Sequence, residues 1–239
     1  MKLFKLFTPL ILGQKFLRRH SEISLHYGGS DHLLRISLEP QSVLNASAAN
    51  LTPPRIFEFL ATDCKPIAAK SRRYNQEDSD FIKSEVIRLL DAGIIEPAKS
   101  PWRAQVLVVN QSNGKKRLRV DYSVTINRYT YLDAYPLPSI NEVINKVAQD
   151  TFYSSLDLKS AYHQVPLAPE ERPMTAFEAD GGLFQDCRLP FGVTNGVSAF
   201  QRVMDDFIKR HELKKVYAYL DDLTVTGATK EEHQRNLQR

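Results

Sequence analysis

The chain has 239 residues, of which 42% are hydrophobic and 25% are charged. This length and composition exclude a wholly disordered chain and allow one or two folded domains. The 32 basic and 28 acidic side chains give a net charge of +4, which permits an anionic partner without requiring one. The two cysteines have no metal-ligand spacing and are too few for a disulfide framework.

No apolar run reaches the roughly 18 residues of a membrane span, so we expect no membrane association. Lys2 and Lys5 precede an apolar run at residues 6–12, as in a signal peptide. However, Gln-Lys-Phe-Leu-Arg-Arg at residues 14–19 stands where such a peptide needs small residues for cleavage. We therefore expect an intracellular protein, in the cytoplasm or nucleus.

The N-terminal part, residues 1–50, is predicted to be a separate β-rich piece. Its strand candidates are residues 7–12, 22–27 and 33–38. A Gly-Gly-Ser-Asp turn at residues 28–31 separates the last two. The following residues 51–74 are predicted to be a linker.

From Asn75 onwards, helices alternate with antiparallel hairpins, which predicts an α+β domain. Asn75 can cap a helix whose apolar stripe includes Ile82 and Val86 and which Gly93 ends. Two hairpins are predicted, one at 104–122 with an Asn113-Gly114 turn and one at 175–188. Further strands are predicted at 152–158, 216–219 and 223–226, and a helix at 198–211. A capping box of Thr229 and Glu232 opens a last helix.

The return strand of the first hairpin concentrates positive charge. Residues 99–128 contain seven Lys or Arg residues and one acid, Asp121. Period-2 alternation puts Lys115, Arg117 and Arg119 on one face of that strand. Such a face can attract nucleic-acid phosphates, and an ordinary solvated loop is the alternative.

Three acids stand where strands end or turn. Asp157 closes the strand at 152–158, and Asp221 and Asp222 form the tip of a hairpin. Nucleotidyl transfer by two divalent ions needs a few carboxylates fixed close together on rigid strands. Adjacent acids repel each other unless a cation lies between them. Without other signals, an Asp-Asp pair in a hairpin is usually a solvated turn.

The surrounding motifs favour the metal site, because in this order they resemble reverse transcriptases of Ty3/gypsy-type retrotransposons. The matching segments are Gly-Ile-Ile-Glu-Pro at 93–97, Ser-Pro-Trp at 100–102, Val-Asp-Tyr at 120–122, Ile-Asn at 126–127, Tyr-Pro-Leu-Pro at 135–138, Ser-Leu-Asp-Leu-Lys-Ser-Ala-Tyr-His-Gln-Val at 155–165, Thr-Ala-Phe at 175–177, Leu-Pro-Phe-Gly-Val-Thr-Asn-Gly at 189–196 and Tyr-Leu-Asp-Asp at 219–222.

The resemblance implies the palm and fingers of a right-hand polymerase, with antiparallel sheet and packed helices. Fingers are expected at about 75–150 and palm at about 151–239, with the thumb absent and the domain truncated. The implied activity is RNA-directed DNA synthesis, in which two Mg²⁺ ions, or Mn²⁺ as a substitute, promote transfer from a dNTP to a primer 3′-OH on an RNA or DNA template. The oligomeric state is left open.

Site residues follow from the resemblance position by position. The resemblance implies that Asp157, Asp221 and Asp222 hold the ions and carry catalysis. The nucleotide-binding residues are expected to be Arg117 at the phosphates, the backbone amides of Ser160 and Ala161 at the triphosphate, Tyr162 against the 2′-position, Phe191 beside the sugar or base, and Leu220. The basic residues Lys115, Lys116 and Arg119 are expected to contact nucleic acid.

The chain departs from the family pattern before the fingertip arginine. Asn110-Gln111 stands where the family usually has lysines, and Ser123 replaces the arginine of the frequent Asp-Tyr-Arg triplet. Both departures concern the phosphate contacts and leave the three acids unaffected.

Residues 8–38 resemble a different module, the end of retroviral-type aspartic proteases. The segment Ile-Leu-Gly-Gln-Lys-Phe-Leu at 11–17 is similar to its Ile-Leu-Gly-x-Asp-Phe-Leu, with Lys15 in place of the Asp. The Asp-Thr/Ser-Gly loop of a protease does not occur in the sequence. We therefore predict a protease remnant without peptidase activity. The principal alternative for the whole chain is a catalytically incompetent retroelement fragment that only binds nucleic acid.

Overall fold

The structure is a computed structural model that describes residues 22–26, 33–37, 51–112 and 114–238. The chain divides into two compact units, Met1–Asn50 and Leu51–Arg239. Within the described ranges, no helix is both long and apolar enough to cross a membrane.

The first unit contains a two-stranded antiparallel sheet. Strand β1 (Glu22–His26) pairs with β2 (Leu33–Ser37), with Leu25 opposite Leu34. These strands confirm the predictions for residues 22–27 and 33–38. The predicted strand at 7–12, the turn at 28–31 and most of the segment that resembles a protease lie outside the described residues.

The second unit combines five helices with eight strands among its described residues. In chain order these are α1 (Gln76–Asp91), β3 (Ile95–Pro97), β4 (Ala104–Asn110), β5 (Lys116–Asp121), α2 (Ile140–Val147), β6 (Phe152–Asp157), α3 (Ala161–Gln164), β7 (Phe177–Ala179), β8 (Gly182–Asp186), α4 (Gly196–Arg210), β9 (Val216–Tyr219), β10 (Asp222–Gly227) and α5 (Lys230–Leu237). Short 3₁₀ turns lie at Ile126–Tyr129 and Arg172–Thr175.

The strands form two sheets. One has five strands in the order β3-β8-β7-β4-β5, in which only the β4–β7 pair is parallel, and the other has three antiparallel strands in the order β6-β10-β9. Strands β7 and β8 therefore join the sheet of β3–β5, although the predicted boundary at about residue 150 assigned them to the palm. The chain returns to the first sheet after β6, so a single boundary does not separate the two sheets.

Helix α1 forms as its capping residues predict. The Asn75 side chain accepts a hydrogen bond of 2.7 Å from the Asp78 amide, and Ile82 and Val86 on the apolar stripe are buried. At the other end Gly93 adopts φ +62°, and its amide donates to the Leu90 carbonyl. A left-handed residue here closes the helix and sends the chain into β3.

Helix α4 supports the three-stranded sheet. Its apolar side buries Phe200 and Met204, and the helix packs against β9. Ala218 on β9 and Val225 on β10 are buried on the same face of the sheet. Because side chains alternate along a strand, the residues next to Ala218 on β9 and next to Val225 on β10 point to the opposite face of the sheet. That face carries the acids described below.

Helix α5 crosses β10 at a position that only glycine can occupy. A Cβ atom at Gly227 would clash with the backbone nitrogen of His233, and a backbone atom cannot rotate away. The predicted capping box is present, since the Thr229 hydroxyl accepts from the Glu232 amide and Glu232 accepts from the Ala228 amide. The cap and the glycine together fix α5 on the sheet.

Residues 51–74, which were predicted to be a linker, belong to the second unit and pack against the rest of it. Ile56 and Phe57 are buried, and their amides donate to the carboxylate of Glu171 at 3.1 and 3.0 Å. Further along, the Ala69 amide donates to the Arg103 carbonyl. The prolines and polar residues of this segment suggested a linker, but the buried carboxylate satisfies two amides and holds the segment in place.

Helix α2 is an element that the sequence prediction did not include. Its apolar residues Ile140 and Ile144 are more than half exposed, and none of its residues is buried. Their spacing of four residues is the usual helix signal, but in eight residues this signal is short.

A buried polar cluster of Tyr122, Thr175 and Asp186 links the end of strand β5 to strand β8 of the five-stranded sheet. Tyr122, which is 1% exposed, donates hydrogen bonds to the Asp186 carboxyl at 2.7 Å and to the Thr175 carbonyl at 3.1 Å. Burial raises the pKa of Asp186 from 3.8 to about 7, and the hydrogen bonds from Tyr122 and Thr175 oppose that rise. The folded protein therefore favours the neutral carboxyl group.

We predict that Asp186→Asn makes the free energy of unfolding less dependent on pH between about 4 and 7. Since the folded-state pKa is above the unfolded value, this group contributes stability that is complete below pH 4 and is lost as the pH rises through 7, by at most about 4 kcal/mol. Urea unfolding at several pH values measures this pH dependence of the free energy of unfolding. Tyr122→Phe, which removes a hydrogen bond that lowers the pKa of Asp186, should instead extend the loss of stability to higher pH. A slope unchanged in Asp186→Asn would contradict the assignment.

Candidate active site

The three candidate catalytic acids meet at one end of the three-stranded sheet. Asp157, the last residue of β6, lies directly opposite Asp222, the first residue of β10. Directly opposed residues of antiparallel strands have Cα atoms about 4.5–5.5 Å apart. The pairing continues past the strand end, because the Leu158 amide donates to the Asp221 carbonyl at 3.0 Å.

A two-residue turn carries the second acid. Tyr219 and Asp222 are paired across β9 and β10, so Leu220 and Asp221 alone form the connection. Leu220 has φ +55°, in the left-handed region that L-residues rarely adopt. This conformation reverses the chain within two residues and places Asp221 beside the β6–β10 pair.

Mutual repulsion acts on these acids. The pKa of Asp222 is raised, first by partial burial of its carboxyl group and then by the negative charges of Asp221 and Asp157. A neighbouring cation would relieve this repulsion. Within the described part of the chain, however, no group of three or more His, Cys, Asp or Glu side chains is arranged so that it could hold a metal ion. The backbone thus brings the acids together, while the side chains do not form a closed ligand set.

An aromatic stack lies next to the acids. The Tyr162 ring stacks on Phe191, with centroids 4.6 Å apart, and on Phe200 on its other side, at 5.1 Å. Burial raises the pKa of Tyr162, and the negative charge of Asp221 adds to the rise. Tyr162 is therefore held between two rings and lies within the field of an acid of the turn. Phe200 lies in the helix that was predicted at residues 198–211.

Arg117 approaches the same stack from β5. Its guanidinium carbon lies 5.2 Å from the centroid of the Phe191 ring, which is within the range of a cation–π contact. His163 meets the edge of that ring at 5.4 Å. The pKa of His163 is lowered by burial and then by the positive charges of Arg88 and Arg117. The structure thus brings the predicted phosphate-binding arginine to the predicted nucleotide-binding phenylalanine.

The basic residues at the start of β5 lie on both sides of the strand. Arg117 and Arg119 are exposed on one side of β5, whereas Lys116 points to the other side. Lys116 pairs with Asp78 at 2.6 Å and with Glu77 at 2.8 Å on helix α1. Its charge is therefore balanced locally, which the sequence prediction of a nucleic-acid contact did not anticipate. Lys115 immediately precedes the strand.

Ser160 and Ala161 lie where the chain turns from β6 into the short helix α3. Ser160 adopts φ +49° and precedes the first helical residue, Ala161, which is buried. The Gln164 side chain donates to the Lys159 carbonyl at 2.8 Å and so supports this turn. This turn therefore connects Asp157, at the end of β6, to Tyr162 on α3.

Comparisons with known proteins agree with the motifs. The sequence model of a family described as "Reverse transcriptase (RNA-dependent DNA polymerase)" matches residues 108–239. The Pol polyprotein of transposon gypsy from Drosophila melanogaster is 36% identical over 181 residues, which cover 73% of this chain and 17% of that polyprotein. The match supports the resemblance to gypsy-type retrotransposons.

Solved structures share the fold. The protease-reverse transcriptase of prototype foamy virus superposes with a TM-score of 0.64 at 26% identity, over 75% of this chain and 24% of that one. A foamy viral protease-reverse transcriptase in complex with double-stranded DNA gives a TM-score of 0.68 at 21% identity, over 79% and 32%. The chain thus spans less than a third of each of these relatives.

We predict that Asp222→Asn stabilises the metal-free protein, because it removes one of three mutually repelling charges. The midpoint of thermal unfolding in EDTA should rise by about 1–2 °C. Glu58→Gln, which removes an exposed acid elsewhere, is the control for the change in net charge. Equal midpoints for the two variants would show that repulsion at the turn is negligible.

Proposed function

Because the chain belongs to the reverse transcriptase (RNA-dependent DNA polymerase) family, we propose that residues 75–239 are the fingers and palm of an RNA-directed DNA polymerase. The observation that carries this proposal is the pairing of Asp157 with Asp222 beside the Leu220–Asp221 turn. The three-stranded sheet then corresponds to the palm. The five-stranded sheet, including β7 and β8, corresponds to the fingers.

We propose that Asp157, Asp221 and Asp222 hold two Mg²⁺ ions, which Mn²⁺ can replace. Carboxylate oxygens are the donors that these hard cations prefer. The repulsion among the acids also matches a site that gains stability from bound cations. When bound, such ions stabilise the attacking and leaving oxygens of an in-line phosphoryl displacement.

The remaining residues of the site are proposed to bind and orient the nucleotide. Arg117 offers a planar, permanently charged donor fork to the phosphates, and its contact with Phe191 keeps it at the pocket. The amides of Ser160 and Ala161 face the triphosphate in this proposal. Phe191 packs against the sugar or base, and Leu220 contacts the nucleotide or primer.

Tyr162 is proposed to select deoxyribonucleotides by occupying the space of a 2′-hydroxyl group. Such a role requires a ring that cannot move aside. The stacking of Tyr162 between Phe191 and Phe200 supplies this restraint. Discrimination then depends on shape and needs no hydrogen bond to the sugar.

The template–primer is proposed to lie along the exposed side of β5 that carries Arg119. The foamy viral relative is described in complex with double-stranded DNA, and another with an RNA/DNA hybrid. Arg119 and Lys115 are proposed to contact phosphates, and Lys116 has to leave its two ion pairs to do so. Phosphate contacts of this kind make binding sensitive to salt.

We predict that Asp221→Asn abolishes extension of a primer on an RNA template, with a loss of at least about 100-fold. Incorporation of labelled dNTP in Mg²⁺ or Mn²⁺ is the measurement, and Glu58→Gln is the matched control. RNA binding and its salt dependence should persist in Asp221→Asn. Extension by the variant at the control rate would refute the assignment of the acids. RNA binding without extension by the unmodified chain would favour the alternative of a binding fragment.

We predict that Tyr162→Val relaxes the selection between dNTP and rNTP by about 10-fold or more, because the smaller side chain frees the space at the 2′-position. Single-nucleotide incorporation of dATP and ATP in an active preparation measures the ratio. Tyr153→Val, which is paired with Thr226 near the end of β6 that is far from Asp157, is the control. An unchanged ratio in Tyr162→Val would remove Tyr162 from the selection.

A further inference from the structure

A single buried side chain holds the turn that carries the second and third acids. Gln201 on α4 is fully buried, with 0% of its surface exposed. Its Oε1 accepts from the Leu220 amide at 2.9 Å, and its Nε2 donates to the Ala218 carbonyl at 3.3 Å. The side-chain amide of Gln201 therefore binds the backbone of Ala218 on β9 and the backbone of Leu220, the first residue of the turn.

The turn needs such a partner. Leu220 has a left-handed backbone, which persists in a non-glycine residue only when its surroundings enforce it. Leu220 also lies between the paired residues Tyr219 and Asp222, outside the ladder of β9 and β10. The hydrogen bond from its amide to Gln201 thus fixes the one residue whose conformation sets the direction of Asp221.

A second set of contacts fixes Gln201 itself. Its Nε2 also donates to Asp205 at 2.9 Å, one helical turn further along α4. Asp205 accepts a hydrogen bond of 2.6 Å from the hydroxyl of Tyr135. Arg202 lies over the Tyr135 ring, 4.2 Å from its centroid, and pairs with Asp133. The glutamine amide is therefore oriented by a chain of contacts that continues to residues 133–135.

We propose that Gln201 is a positioning residue, which fixes the backbone of the Leu220–Asp221 turn and thereby holds Asp221 and Asp222 against Asp157 in a metal-competent arrangement. The inference rests on the proposed metal site. Gln201 itself touches neither the ions nor the substrate. It acts through the Leu220 amide and the Ala218 carbonyl.

The test compares Gln201→Met with Gln105→Met. Both glutamines are buried and both bind a backbone amide, but Gln105, on β4, binds that of Arg72. Methionine has a similar volume and no amide, so each variant loses its hydrogen bonds with little change in packing. Any general destabilisation should appear in both.

The first readout is hydrogen exchange of the Leu220 amide by NMR in the absence of metal. We expect exchange at least 10-fold faster in Gln201→Met and within about twofold of the original chain in Gln105→Met. Asp205→Ala, which removes the half-buried carboxylate that binds Gln201 and Tyr135, should give an intermediate rate and serves if Gln201→Met does not fold. Unchanged exchange in both Gln201→Met and Asp205→Ala would overturn the proposal.

The second readout is the shift of the thermal midpoint with MnCl₂. The Mn²⁺ concentration that gives half of the shift should rise at least threefold in Gln201→Met and remain unchanged in Gln105→Met. Faster exchange with an unchanged Mn²⁺ response would reduce Gln201 to a structural role and overturn the positioning claim. No Mn²⁺ shift in the original chain would instead contradict the proposed metal site, and the exchange data would still decide whether Gln201 holds the turn.

Discussion

The site depends on the pairing of β6 with β10, because this pairing sets Asp157 opposite Asp222 although they are far apart in sequence. A shift of one residue in this ladder would turn one of the two acids to the opposite face of the sheet. Buried apolar residues oppose such a shift, since Val225 and Ala218 are buried on the face of the sheet opposite the acids. The placement of the charged residues is therefore enforced by the packing of uncharged ones.

The aromatic stack and the buried polar cluster extend this constraint to the proposed nucleotide-binding residues. Phe200 and Gln201 are neighbours on α4, and the first stacks on Tyr162 while the second binds the Leu220 amide. One helix thus fixes both the proposed sugar contact and the turn of the acids. Below the loop that contains Phe191, the ring of Tyr122 lies close to Gly192 and its hydroxyl reaches Asp186.

Local signals in the sequence predicted much of the fold. Asn75 and Thr229 precede helices with the hydrogen bonds expected of their caps, and the strands around Asp221 and Asp222 lie within about one residue of the prediction. These features depend on neighbours within a few residues, which the sequence shows directly. The grouping of the three acids was inferred from motif order, and the strand pairing agrees with it.

Contacts between distant residues could not be predicted in this way. The ion pairs of Lys116 with α1, the binding of Ile56 to Glu171 and the role of Gln201 all join residues that no local pattern connects. Residues 51–74 show the effect most clearly, because they were predicted to be a linker, whereas the Glu171 carboxylate and backbone hydrogen bonds with distant residues hold them in place. For Gln201, the signal that could have indicated its role is the presence of a polar residue on the apolar face of a helix.

The close crossing of α5 over β10 has a consequence for how this region tolerates sequence drift. At Gly227 any side chain meets the main chain of His233, so every replacement forces the helix off the sheet. Exposed neighbours on α5, such as Glu231 and Gln234, carry no such restriction. A single substitution at Gly227 would therefore displace α5 from β10, whereas many substitutions on the outer face of that helix would leave it in place.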